Sequence, residues 1–132
     1  MVSLHLPARS DELIAAVASA NPNTIVVNQT GSPIAMPWRE NVPLIMQAWY
    51  QGQEQGNSLA DVLLGAVNIC ARLPVTFPKR MEDTPTLNNC PGENNVTYYG
   101  EGIYLGYRWY DHRKIEPLSV PFNAGLSYTT FE

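Results

Sequence analysis

The sequence lacks several features by which whole classes of protein are recognised. It has no run of lysine or arginine and a formal net charge of -4, so it lacks the clustered positive charge that phosphate contacts require. No apolar run approaches the ~20 residues of a membrane span, and residues 1–20 show no signal peptide, because polar and charged residues interrupt any apolar stretch there. We therefore expect a protein that binds neither nucleic acid nor membrane and that, as the chain is written, stays in the cytoplasm.

Cysteine and histidine are scarce as well. Cys70 and Cys90 have no CxxC spacing, which argues against a disulfide scaffold or a zinc site. Paired, they would close a loop of about 20 residues worth roughly 3 kcal/mol. A reducing cytosol favours two free thiols, but the sequence leaves their pairing open. His5 and His112 are too far apart for metal-ligand spacing, so we predict neither a metal nor a cofactor.

What the chain does contain fits a small globular domain. Its 132 residues are 45% hydrophobic and 15% charged, which is enough for one domain with a core of its own. Most of the eleven prolines follow Leu73. We therefore predict a single domain over residues 1–132, with an α/β part at 1–78 and a loop-rich, aromatic connector at 79–132.

The first part reads as helices followed by strands. Ser10 is placed to cap a helix whose first turn holds two acids, and residues 25–27 form a β-branched run typical of a buried strand. Residues 44–50 predict a second strand. A shorter helix, capped by Asn57 or Ser58 and ended by Gly65, would turn Leu59, Val62 and Leu63 inward. This order predicts an α/β layer structure.

The second part has a different texture. Residues 81–97 are polar and turn-rich, which predicts a long surface loop. Residues 98–110 concentrate aromatic side chains, and residues 126–131 are strand-like. The aromatic residues of this stretch are Tyr98, Tyr99, Tyr104, Tyr107, Trp109 and Tyr110.

Six blocks of sequence resemble the C-terminal part of glycoside hydrolase family 3, of the β-glucosidase type, in that family's order. They are NPNTIVV at 21–27, QAWYQGQE at 47–54, ADVLLG at 60–65, RLPVTFP at 72–78, YGEGIYLGYRWYD at 99–111 and GLSYTTF at 125–131. The resemblance implies a partial α/β sandwich that packs beside a catalytic barrel and leads into a connector. It also implies an ancestor that was secreted, which would explain the N-glycosylation patterns at Asn28 and Asn95 as well as chance does.

The resemblance places the family's catalytic carboxylates outside these residues. The nucleophile is an aspartate of the barrel, and the acid/base glutamate lies just upstream of the stretch that matches residues 6–9. Retaining hydrolysis needs both, about 5 Å apart, so we expect no ordinary β-glucosidase activity from this chain alone. The family pattern is also broken at four places: Ala8 stands for glycine, residues 68–71 and 122–125 differ, and Cys90 stands where an aromatic residue is usual.

Candidate substrate-binding residues fall in both parts of the chain. In the first part they are Trp38, Tyr50, Gln53 and Glu54; in the second they are Tyr104, Arg108 and Trp109. Trp38 is a candidate for stacking on a sugar, whereas Trp49, inside an apolar run, is expected in the core. Glu54 is either a sugar ligand or a solvated loop residue. The second group fixes the connector to a neighbouring surface or forms a ligand pocket, and Arg108 with Asp111 could be a plain ion pair.

Three functions remain open at this stage. The chain is a β-glucosidase-like domain that does not hydrolyse by itself and binds a carbohydrate or glycoside-like small molecule. Alternatively it is a repurposed isomerase, cyclase or lyase acting on a small natural product, with Glu54, Glu101, Asp111 and His112 as acid/base candidates. The third is a self-associating structural module, because half a sandwich sheet leaves exposed edges. We predict a homodimer or larger assembly.

Overall fold

A computed structural model describes residues 3–87, 89–115 and 119–130. The first helix, α1, spans Ser10–Ala20 and carries Asp11 and Glu12 in its first turn. The predicted cap is wrong, because Ser10 is already helical and its hydroxyl donates to the Pro7 carbonyl at 2.8 Å. The cap position is occupied by Arg9, which makes no side-chain cap bond.

Two parallel strands form the sheet. Strand β1 spans Ile25–Asn28, and strand β2 spans Leu44–Gln47, with Ile25 opposite Leu44. The predicted second strand ran on to residue 50, but Trp49 has φ of 52°, which is incompatible with extended backbone. The mixed helices and small parallel sheet confirm the α/β class and the partial α/β domain.

The core lies between α1, the sheet and the segment that connects the strands. Its buried members are Ala18, Ile34, Met36, Trp38, Val42 and Phe77. Val26 of β1 and Ile45 of β2 pack against this cluster. The connecting segment contains a 3₁₀ turn at Arg39–Asn41, where the sequence allowed a loop or one helical turn.

Helix α2 spans Gln55–Leu63 with Glu54 at its cap position, so it begins before both predicted caps, Asn57 and Ser58. Gly65 ends it with φ of 76°, as predicted, because glycine adopts this left-handed conformation without a Cβ clash. Leu59 and Val62 are half-buried. Leu63 is 37% exposed, so its predicted inward orientation is wrong.

The second part of the chain contains a helix that the sequence did not predict. Helix α3 spans Tyr107–Arg113, between Gly106 and Lys114, which have φ of 56° and 51°. A 3₁₀ turn at Met81–Asp83 opens the predicted surface loop, in which Asn88 lies outside the described residues. Cys70 and Cys90, whose pairing the sequence left open, are both free and exposed.

Residues 126–130 are not a strand, and Phe131 of that prediction lies outside the described residues. The Asn68 side chain holds this tail instead. Its Oδ1 accepts from Ser127 Oγ at 3.0 Å and from the Tyr128 amide at 2.9 Å, and the Tyr128 hydroxyl donates to the Val62 carbonyl at 2.7 Å. These side-chain bonds attach the tail to residues 62 and 68 without a strand ladder.

Two breaks of the family pattern coincide with left-handed backbone. Ala8 has φ of 55° and Asn123 has φ of 66°. Glycine adopts this conformation freely, asparagine tolerates it, and alanine is strained in it. The left-handed backbone therefore explains why the family pattern has glycine at both positions.

Across the described ranges, no helix is both long and apolar enough to cross a membrane.

Candidate functional site

The first group of candidate residues does not assemble into a cavity. Trp38 is only 2% exposed, and its indole N–H donates to Asp11 Oδ1 at 2.7 Å. In this conformation it offers no ring face to a ligand. Trp49, which the sequence assigned to the core, is half-buried and packs at 6.1 Å against the Phe77 ring.

The loop between β2 and α2 carries the other first-group candidates. Tyr50 is 79% exposed, and its ring lies over Gly31, where an added Cβ would come within 2.8 Å of Tyr50 Cε2. Gln53 is exposed. The Glu54 carboxylate is exposed and accepts from Asn57 Nδ2 at 2.8 Å, the arrangement expected of a solvated glutamate beside a helix start.

Two of the three second-group candidates lie together. Tyr104 and Arg108 line one open depression with Ile103 and with the acid/base candidates Asp111 and His112. The short helix α3 explains why, because side chains three and four positions apart lie on the same helix face. Arg108, Asp111 and His112 have that spacing. We name this surface the α3 depression.

An aromatic stack forms one wall of the α3 depression. The Tyr104 and His112 rings lie 3.8 Å apart between centroids, at an interplanar angle of 13°. Arg108 lies 5.9 Å from the Tyr107 ring centroid, in cation–π geometry. Among the salt bridges of the described residues, Arg108 and Asp111 do not form the pair that their spacing allows. Both groups therefore keep hydrogen-bonding capacity for a ligand.

Trp109 lies on another face of α3 and anchors the helix. Its indole N–H donates to the Asp83 carbonyl at 3.1 Å, and the Arg113 guanidinium sits 5.3 Å over its ring. These contacts join α3 to the Met81–Asp83 turn. Trp109 therefore positions the helix that carries the depression and is not part of its lining.

Beneath α3, Tyr110 is 6% exposed. Burial, with the negative charge of Asp83 as a smaller cause, raises the pKa of Tyr110 to about 12. The Asp83 carboxylate in turn bonds Arg80 at 2.9 Å and raises the pKa of that guanidinium. These three residues lie beneath or beside α3 and do not line the α3 depression.

The four acid/base candidates do not meet at one place. Asp111 and His112 share the α3 depression, whereas Glu54 and Glu101 do not line it. Glu101 is 6% exposed, and its Oε2 accepts a long 3.4 Å bond from Asn89 Nδ2. Ile103 is the lining residue that the sequence reasoning missed, and recognition of α3 would have indicated which side chains converge.

A second depression, between α1 and β1, has no charged residue in its lining. A group of three or more metal-ligating side chains is absent from the described residues. Chemically, the α3 depression offers a flat aromatic face, a hydrogen-bond donor and a carboxylate acceptor, which is a combination suited to a small polar ligand with an apolar face.

Comparison with known proteins places this geometry in a family. Residues 1–107 match the model of the glycosyl hydrolase family 3 C-terminal domain. The chain is 50% identical to beta-glucosidase B of Emericella nidulans, covering 98% of this chain and 17% of that protein. It is 52% identical to a beta-glucosidase of Rhizobium radiobacter, covering 97% of this chain and 16% of that one.

Solved structures agree. The beta-glucosidase of Kluyveromyces marxianus, in complex with glucose, superposes with a TM-score of 0.95 at 44% identity, covering 99% of this chain and 16% of that one. Beta-glucosidase 3B of Thermotoga neapolitana, in complex with glycerol, gives 0.86 at 39% identity, covering 98% and 19%. The chain thus spans less than one-fifth of the length of these relatives.

Proposed function

Because the chain belongs to glycoside hydrolase family 3, as part of its C-terminal domain, we propose that these residues bind a carbohydrate or glycoside-like small molecule without hydrolysing it by themselves. The ligand lies in the α3 depression, with Tyr104 and His112 as the stacking wall and Arg108 and Asp111 as hydrogen-bonding groups. Turnover would require a pair of carboxylates facing each other, whereas Asp111 is the carboxylate that lines the α3 depression.

The distribution of carboxylates carries the proposal. Hydrolysis with retention needs two carboxyl groups about 5 Å apart across the scissile bond. The α3 depression is lined by a single carboxylate, Asp111, and the depression between α1 and β1 by none. Asp11, Glu12 and Asp83 are engaged with His5, Arg9 and Arg80 in turn.

A sugar matches the chemistry of the α3 depression. One face of a pyranose presents C–H groups, which pack on an aromatic ring, while its hydroxyls exchange hydrogen bonds with a guanidinium and a carboxylate. Tyr104 is 36% exposed although it stacks on His112, so part of its ring remains accessible. The glucose complex of the Kluyveromyces marxianus relative supports this ligand class.

The hydrolytic half of the proposal is tested with an aryl-β-glucoside. We expect no release of the aryl group by the purified chain above the buffer rate, while full-length beta-glucosidase B of Emericella nidulans serves as the positive control. Turnover that survives repeated purification and scales with the amount of chain would contradict the proposal.

The binding half is tested by titrating glucose and a β-glucoside while following the NMR signals of α3. Tyr104→Ala and His112→Ala should each weaken binding about tenfold, because each removes part of the stacking wall. Tyr98→Ala is the matched control, since Tyr98 is 71% exposed and does not line the depression. Equal effects of all three variants would refute the assignment.

The alternative of a repurposed small enzyme is favoured by one observation, the proximity of Asp111 and His112 in an open depression. It predicts that any isomerase, cyclase or lyase activity falls in Asp111→Ala and His112→Ala but persists in Glu54→Ala. An activity that all three variants retain would exclude it.

A further inference from the structure

Glu101 is the one buried acid in the part of the chain that the structure describes, with 6% of its surface exposed. Its Oε2 accepts a hydrogen bond from Asn89 Nδ2 at 3.4 Å, which is longer than the usual range of about 2.7–3.2 Å. Burying a carboxylate is costly, and a bond of this length offsets little of that cost. Stability therefore does not account for a glutamate at this position, and its role follows from the contacts of its side chain and its backbone.

The backbone of Glu101 leads directly to the stacking wall of the α3 depression. Two consecutive turns overlap at this residue. The Gly102 amide donates to the Tyr99 carbonyl at 3.1 Å, and the Tyr104 amide donates to the Glu101 carbonyl at 3.0 Å. The Tyr104 ring then stacks on His112. The placement of this ring therefore depends on the turn that Glu101 begins.

The side chain of Asn89 holds Glu101 from the surface loop. Its amide group lies against Gly100, where an added Cβ would come within 2.9 Å of both Asn89 Nδ2 and Asn89 Oδ1. The backbone amide of Asn89 donates to the Thr86 carbonyl at 3.0 Å, which fixes Asn89 in a turn of its own. Asn89 thus packs over Gly100, bonds Glu101 and connects the surface loop to the turn that carries Tyr104.

We propose that Glu101 is a positioning residue for the α3 depression: held by Asn89, it fixes the turn that presents Tyr104 to a ligand. The inference rests on the proposed function for the ligand, whereas the placement of Tyr104 on His112 is a property of the free chain. Glu101 is buried and does not line the depression, so it acts through Tyr104 and not by touching the ligand.

The ring signals of Tyr104 and His112 in NMR spectra of the free chain test the proposal, because stacked rings shift each other's signals. Glu101→Ala should move these signals towards those of unstacked rings. Glu101→Gln should leave them in place, because its amide oxygen still accepts from Asn89. Glu93→Ala is the matched control, since Glu93 is an exposed glutamate close in sequence. Affinity for a β-glucoside should fall about fivefold in Glu101→Ala and less than about twofold in the other two variants.

Gly100→Ala tests the same contact from the other side and leaves Glu101 unchanged. The backbone of Gly100 lies outside the left-handed region, so alanine is allowed there, and its Cβ would displace the Asn89 amide. The ring signals should move in the same direction as in Glu101→Ala. Gly56→Ala is the matched control, because an added Cβ at Gly56 meets nothing within 4 Å.

Circular dichroism verifies that each variant is folded; if Glu101→Ala is not, the comparison of Gly100→Ala with Gly56→Ala decides. Folded Glu101→Ala or Gly100→Ala with the ring signals of the unaltered chain would overturn the proposal. So would a Glu101→Gln variant whose signals move as far as those of Glu101→Ala, because the acceptor oxygen would then not be what holds Tyr104.

The proposed function fails in a different way. Ring signals that respond as expected, in a chain that binds neither glucose nor a β-glucoside, would support the role of Glu101 in placing Tyr104 and would refute sugar binding at the α3 depression.

Discussion

Trp38 and Tyr104 are both large aromatic residues with a close neighbour, yet the two parts of the molecule use them in opposite ways. Trp38 is 2% exposed and bonded to Asp11 in the core of the first part. Tyr104 is 36% exposed and stacked on His112 at the surface of the second. Phe122 and Tyr107 repeat the second arrangement, at 4.7 Å between centroids. Trp38 thus contributes to the core of the first part, whereas the Tyr104 and Tyr107 stacks lie at the surface of the second.

The sharpest test of this contrast compares Trp38→Ala with Tyr104→Ala. The Trp38 variant should lose about 3–5 kcal/mol of unfolding free energy, because it leaves a cavity in the core. The Tyr104 variant should lose less than about 1.5 kcal/mol, the upper range for a surface aromatic pair. Urea denaturation measures both values. Similar losses in the two variants would show that the second part also depends on its aromatic residues for stability.

Tyr110 of the second part is buried, unlike Tyr104, and its contribution to stability should fall at alkaline pH. Its pKa is raised from 10.0 to about 12 in the folded protein, so the unfolded chain releases the proton first. The contribution of this raised pKa to the free energy of unfolding is fully present below pH 10. It is lost as the pH rises towards 12, by at most about 2–3 kcal/mol. Tyr110→Phe should lack this loss. Tyr98→Phe should retain it, and denaturation at a series of pH values distinguishes them.

Asp11 and Glu12 lie in the same helix turn, but Asp11 accepts a hydrogen bond from the buried Trp38 whereas Glu12 pairs with an exposed arginine. Asp11→Ala removes the acceptor of the buried Trp38 indole and should cost about 1–3 kcal/mol. Glu12→Ala removes a carboxylate that pairs with Arg9 at the exposed surface, where such pairs contribute little. Both residues lie in the first turn of α1, so the helix-dipole effect is matched. Equal thermal shifts would contradict the role of the Asp11–Trp38 bond.

The smallest expected effect is a gain. Ala8→Gly should stabilise the protein by about 1 kcal/mol, because Ala8 has φ of 55°, a conformation that costs an alanine roughly that amount. Ala16→Gly, at an exposed position within α1, should destabilise by a similar amount. Two shifts of the same sign would show that Ala8 is not strained.

The first part could be predicted largely from local pattern. The β-branched run of β1 and the helical spacing of α1 determine those elements, and Gly65 marks the end of α2. The burial of Trp38 could not, because it depends on Asp11, far away in sequence. The local sequence around Trp38 carries no information on this long-range contact, so the prediction that Trp38 stacks on a sugar is not supported by its burial.

The residues of the α3 depression come from two different predictions. The sequence suggests Tyr104 and Arg108, with Trp109, as substrate-binding residues and Asp111 and His112 as acid/base candidates, but the seven residues of α3, dominated by aromatic and charged side chains, carry no apolar stripe that indicates a helix. The bounds of α3 coincide with left-handed backbone at Gly106 and Lys114, and a lysine gives no sign of such a conformation. Without α3, the convergence of three of these side chains was not predictable.

Phe77 belongs to both parts of the molecule. Its ring, 1% exposed, lies in the core of the first, while its amide donates to the Val120 carbonyl at 2.8 Å and its carbonyl accepts from the Ser119 amide at 2.8 Å. Unfolding of the second part alone would break both backbone hydrogen bonds of Phe77, a residue buried in the core of the first part. The two parts are thereby coupled thermodynamically, and their melting should be a single cooperative transition.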